Sequence, residues 1–398
     1  MLGKKDKIKF APVQEVKSEK DYSIVNDIEQ LEWYVKSKSK SAGRSHSFMK
    51  AVKKSVETNI ETQTVYFTDL ASGRCGFIQV LYSSVMGGIY KGFQLNFKIF
   101  RSRDVGKDEE NIDIWESFKL GDIQEFEGLK FVSPELNFEF IPASHDDEVI
   151  ATLKIDVNMP QNGSDKPSLK IDLMIDLYQG FTINPNGCNY YLEKGISKEE
   201  LKQRKFQSKR VLRHLFVPRV KCHGSIEYKS KAGATVILDL IGVPGSYIDA
   251  VQGLPPNKAA RAWNFLCYQD AKRSLICMEF TTTEEYNATT VTIWCSTNDH
   301  KIETVGSSIN NVPVKFGATR KDDLNGWSYP TGINFPLDFS EDKLRLVNRY
   351  DIMGELPYIV KSLAENVAKI KPFIYQYCQD SNYKDGKGIS IVESTFIS

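Results

Sequence analysis

From Ile60 onward the chain alternates. Phe93, Leu95, Phe97 and Ile99 enclose Gln94, Asn96 and Lys98, and the same period recurs at Leu136, Phe138 and Phe140. It returns at Val149, Ala151, Leu153, Ile155 and Val157. Leu169, Ile171, Leu173, Ile175 and Leu177 repeat it among Lys170, Asp172, Met174 and Asp176. A period of two sends successive side chains to opposite faces, so these stretches are antiparallel strands with one dry and one wet face. NGS at 162–164 and NPNG at 184–187 supply turns between them. Further strands are expected at Val211–Val220, Cys222–Tyr228 and Thr235–Leu240, then at Trp263–Gln269, Leu275–Thr281 and Val291–Cys295. Long strands without intervening helices predict barrels or a sandwich, and closure removes exposed edges.

Helical patterns are few. Asp27–Tyr34 predicts a short anchor helix, and Ser197 with Glu200 forms a capping-box pattern. Pro357 leads Val360, Leu363, Val367 and Ile370 at spacings of three and four, an amphipathic helix expected to pack across a barrel mouth or side. The pattern divides the chain into an N-terminal segment, 1–59, and two β units, 60–214 and 215–398, with the junction near 200–215.

Length and composition change this picture little. A chain of 398 residues with 41% apolar residues has material for two packed cores. A net charge of +1 argues against a nucleic-acid partner. The exception is KSKSKSAGRSHSFMKAVKKS at 36–55, with seven basic residues and no acidic one. It reads as a mobile basic insert, and its charge offers peripheral contact with anionic membranes or a localisation signal. No apolar run is long enough to span a bilayer, and MLGKKDKIKF lacks the apolar region of a secretory signal. Seven scattered cysteines without a C-x-x-C pair suit reduced thiols. A cytoplasmic protein is expected, with nuclear or peripheral membrane location as the further options the basic run allows.

Candidate chemistry is sparse. The sequence holds no Gly-rich phosphate loop, H-E-x-x-H or G-x-S-x-G pattern. Cys222 and His223 are adjacent on a strand and therefore point to opposite faces. Glu279, Glu284 and Glu285 read as turn or surface acids, and Cys267 and Cys277 as packing residues. No catalytic residue, metal ligand or cofactor is assigned.

One resemblance adds to this reading. LPPNKAARAWNFLCYQD at 254–270 and MEFTTTEEYNATTV at 278–291 are similar to segments of the fungal oxidative-stress survival factor family. ETQTVYFTDLASGRCGFIQV (61–80), RHLFVPRV (213–220), LVNRYDIMGELPYIVKSL (346–363) and KPFIYQY (371–377) resemble others, in the same order. The resemblance implies a mainly β fold, two tandem lipocalin-like (calycin) antiparallel β-barrels with short helices. It implies a non-enzymatic protein linked to survival of oxidative stress, with an apolar lipid such as ceramide as ligand. The charged, proline-broken N-terminus departs from the family's amphipathic membrane helix, as in a diverged paralogue.

Sheltering a sixteen-carbon chain from water is worth about 13 kcal/mol at about 0.8 kcal/mol per methylene, so a carrier needs a matching dry surface. Trp263, Phe265 and Cys267 share one face of their strand, and Asn264, Leu266 and Tyr268 the other. Ile276, Met278 and Phe280 form an apolar row on the next. The expected ligand-binding residues are Trp263, Asn264, Phe265, Tyr268, Met278 and Phe280. A filled core and an open lumen are both compatible with this pattern. The alternative is a calycin-type enzyme, a hydratase or cyclase, polarising an apolar molecule with Tyr268, Asn264 or Glu279.

Overall fold

The computed structural model describes residues 8–35, 58–85, 90–104, 113–143, 148–160, 167–197, 200, 210–230, 234–351 and 372–397. The alternating stretches form the strands expected of them. They are β1 (Asn59–Thr68), β2 (Arg74–Val85), β3 (Tyr90–Arg101), β4 (Ile114–Leu120), β5 (Leu136–Ile141), β6 (Ala151–Met159) and β7 (Ser168–Leu177). Two long strands follow, β8 (Val211–Lys229) and β9 (Thr235–Gln252). All belong to one antiparallel sheet, in the order β4-β3-β2-β1-β9-β8-β7-β6-β5, which short strands at Lys130–Val132 and Glu125–Glu127 continue.

The second sheet is built from β10 (Ala262–Asp270), β11 (Ser274–Thr281), β12 (Thr290–Thr297) and β13 (Ile302–Ile309), with β14 (Leu346–Asp351), β15 (Phe373–Tyr383) and β16 (Gly386–Phe396). Its order is β13-β12-β11-β10-β16-β15-β14. The architecture is mainly β and antiparallel throughout. Among the described residues no pairing joins the two ends of the first sheet, which is a curled half-barrel. Tyr228 on β8 donates across it to Glu116 Oε1 on β4 at 2.7 Å.

The division into sheets differs from the 214/215 junction drawn from sequence. That point falls inside β8, and both β8 and β9 pair within the first sheet. The change of sheet comes between Gln252 and Ala262. The strand expected over Thr235–Leu240 runs on to Gln252. Gly242 takes φ +65° beside the irregularity at Cys222/His223, and Pro244 pairs with Lys221. Glycine absorbs the bulge without Cβ strain, so the strand runs through.

The N-terminal helix is shorter than expected, a 3-10 turn at Ile28–Leu31 capped by Asp27, which accepts Glu29 N at 3.0 Å. Ser197 and Glu200 do form reciprocal capping bonds, at 2.7 and 3.2 Å. The basic stretch 36–55 and the helix expected on Pro357, Val360, Leu363, Val367 and Ile370 lie outside the described residues.

Three apolar cores result. The first lines the concavity of the first sheet, where Trp33, from the segment after the 3-10 turn, is buried beside Phe93, Phe126 and Phe138. The second lies between the sheets and joins Tyr66, Phe77 and Phe216 to Phe265, Ile276 and Phe280. The third lies on the far face of the second sheet, beneath short strands at 315–341. A polar latch supplements the middle core. Buried Arg219 on β8 donates to Asp270 O at 2.9 Å, Gln269 Oε1 at 3.1 Å and Ala271 O at 3.1 Å on the second sheet.

Candidate functional site

The six expected ligand-binding residues do not surround one space. β10 pairs with β11, placing Trp263 opposite Phe280 and Phe265 opposite Met278. These four side chains face the inter-sheet core, where the Trp263 and Phe280 rings lie 5.2 Å apart and Phe265 lies 5.3 Å from Tyr66. Strand alternation sends the other two to the opposite face. There Tyr268 packs against Phe339 and Tyr383 and donates to Asp270 Oδ2 at 3.0 Å. Asn264 is buried between Glu279, to which it donates at 3.0 Å, and Ser394, from which it accepts at 2.9 Å.

Glu279 is the centre of that polar knot. Thr292 Oγ1 donates to it at 2.8 Å and Val314 N at 2.6 Å, so both carboxyl oxygens have internal donors. Burial raises its pKa, and the three bonds oppose the rise. Glu279 thus pins the 314 segment to the second sheet. It is a structural acid, with its acceptor capacity engaged.

A constellation missed at the sequence level lies inside the first sheet. Glu61 and Gln63 share the inward face of β1 with Val65 and Phe67. Asp249 shares the inward face of β9 with Tyr247 and is directly opposite Gln63. Arg213 on β8 donates to Asp249 Oδ2 in an ion pair that is almost wholly buried. Glu61 accepts the backbone N–H groups of Tyr34 and Val35, each at 2.8 Å, which ties the Trp33 segment to β1. The Tyr34 ring lies 4.8 Å from the Arg213 guanidinium.

Burial and then the Asp249 charge push Glu61 well above the usual carboxylate range. Burial raises Asp249 too, while Arg213 holds it back. On the other face of β8, His214 is held down to about 3 by burial and the Arg213 charge. It is a neutral ring, with Phe216 5.6 Å away. One signal for this cluster was available: Glu61, Gln63 and Asp249 fall at positions whose parity assigns them to the dry face.

Among the described residues no group of three or more His, Cys, Asp and Glu side chains is arranged to hold a metal ion. No described helix is long and apolar enough to cross a membrane. All seven cysteines are buried free thiols.

Two curled antiparallel sheets, aromatic-rich within and carrying buried polar side chains, define the class: a β protein organised around dry interiors. The chain belongs to the Svf1 family, whose model matches residues 4–398. Two SVF1-like proteins of Saccharomyces cerevisiae are 54% identical over 403 residues and 50% identical over 416, each across 99% of both chains. The ceramide-binding protein SVF1 of Debaryomyces hansenii is 35% identical over 366 residues, 87% of each chain.

Proposed function

We propose that this protein is a non-enzymatic carrier of a ceramide-like lipid that serves survival of oxidative stress. The observation that carries the reading is kinship over most of its length with proteins named for ceramide binding. Local geometry supports it. The polar groups on which a hydratase or cyclase reading would rely, Asn264, Tyr268 and Glu279, are each held by internal partners. Large apolar interiors suit an acyl chain, whose transfer from water is driven by the area it hides. A cytoplasmic or nuclear location, and membrane contact through 36–55, belong to the same proposal.

The test is the lipid inventory of the full chain purified from its own cells, read by native mass spectrometry. A co-purifying sphingolipid mass that exchanges with labelled ceramide is the expected result. A bare chain that takes up no labelled ceramide refutes the reading.

A further inference from the structure

We infer that the concave face of the first sheet holds a head-group site for an uncharged lipid, built from Gln63, Tyr247 and Trp33 beside Asp249. This inference rests on the lipid-carrier reading and adds a location and a head-group chemistry to it. Polar groups in an apolar core are almost always hydrogen-bonded, because each one left unmet is costly. Here several are unmet together. Both amide atoms of Gln63, the Tyr247 hydroxyl and Trp33 Nε1 are buried and have no protein partner, and Asp249 lies among them, engaged by Arg213 and Glu61. None of the four residues is more than 1% exposed.

Gln63, Asp249 and Tyr247 form a connected row. Gln63 and Asp249 are directly opposite across β1 and β9, which places their Cβ atoms about 4.5–5.5 Å apart. Tyr247 is one same-face step along β9, about 7 Å away. Trp33 enters the same core from outside the sheet. Around them the wall is apolar, with Val65, Val80, Leu215 and Val217 buried. A few polar atoms set in a dry wall are what orients an amphipathic ligand.

The row also specifies the head. Gln63 both donates and accepts, Tyr247 does either, and Trp33 donates. A complementary head carries hydroxyl or amide donors beside an acceptor. A phosphate is disfavoured, because the Asp249 carboxylate lies beside the site and Arg213, the cation next to it among the described residues, is engaged by Asp249. The chemistry that fits is a neutral N-acyl amino alcohol. Phosphorylated lipids do not fit.

The experiment uses the purified full chain, fluorescent short-chain ceramide as probe, and ceramide 1-phosphate as competitor. Tyr247→Phe and Gln63→Leu each remove ligand bonds and weaken ceramide about tenfold, the scale of one hydrogen bond. Since they delete unmet polar atoms, neither lowers the melting temperature of the ligand-free chain. Ceramide 1-phosphate competes at least tenfold less well than unlabelled ceramide.

If wild type binds ceramide and both variants bind it equally, the row holds only water. The site is then overturned while the carrier reading stands. Equal competition by the phosphorylated lipid overturns the neutral-head assignment. A wild-type chain that binds no ceramide refutes the carrier reading, and the site falls with it.

Discussion

Lys98 offers a stability test whose sign follows from its surroundings. It lies on β3, fully buried, with its Nζ lacking a hydrogen-bond partner. The ammonium position is 3.8 Å from the centre of the Tyr350 ring and 5.5 Å from those of Phe100 and Trp115. Burial pushes the amine from 10.5 down to about 7, against the attraction of Glu393 and Asp113, the acids that face it. At about 1.36 kcal/mol per pH unit, that drop is worth roughly 5 kcal/mol.

Above about pH 10.5 the amine is neutral in folded and unfolded chains alike, and no penalty applies. As pH falls toward about 7, the unfolded chain takes up a proton that the folded chain refuses. Stability therefore declines through this window and levels off below it. Lys98→Met keeps the volume and removes the titration. Urea unfolding of both proteins at pH 8 and pH 10 isolates the effect, because other alkaline titrations cancel in the difference. The stability of the variant relative to wild type is expected to be about 2–3 kcal/mol more favourable at pH 8 than at pH 10. An identical difference at the two pH values would refute the reasoning. It would mean that Lys98 stays charged in the folded chain, paired with buried Glu393.

Two further outcomes follow from the contact between and within the sheets. Arg219→Lys replaces a planar fork that reaches two backbone carbonyls and Gln269 with a single ammonium. It is expected to cost about 2–4 kcal/mol, read from the urea midpoint, and an unchanged midpoint would show that the latch adds nothing. Gly245→Ala places a methyl 2.0 Å from the Tyr66 carbonyl oxygen, a backbone atom of the paired strand. A loss of about 1–3 kcal/mol and a lower melting temperature are expected. A melting temperature equal to wild type would mean that β1 and β9 separate at no cost.

The antiparallel, strand-rich character was legible from residue types alone, because inward and outward positions alternate within each strand. That is local information. The five-residue apolar rows of β6 and β7 need no partner to be recognised as dry faces. The division of β10 into a Trp263–Phe265 face and an Asn264–Tyr268 face was legible for the same reason.

Pairing is not local, and it determined the rest. Whether β8 and β9 join the earlier strands or the later ones depends on hydrogen bonds between residues far apart in the chain. A bulge relieved by Gly242 kept β9 running past Leu240, where the expected strand ended. The same long-range register set Gln63 against Asp249 and brought Arg213 beside them. Read singly, each is an ordinary polar residue on a strand. Only the curl of the sheet turns their common face inward, removes water from it, and makes an unmet hydrogen bond there a matter of function.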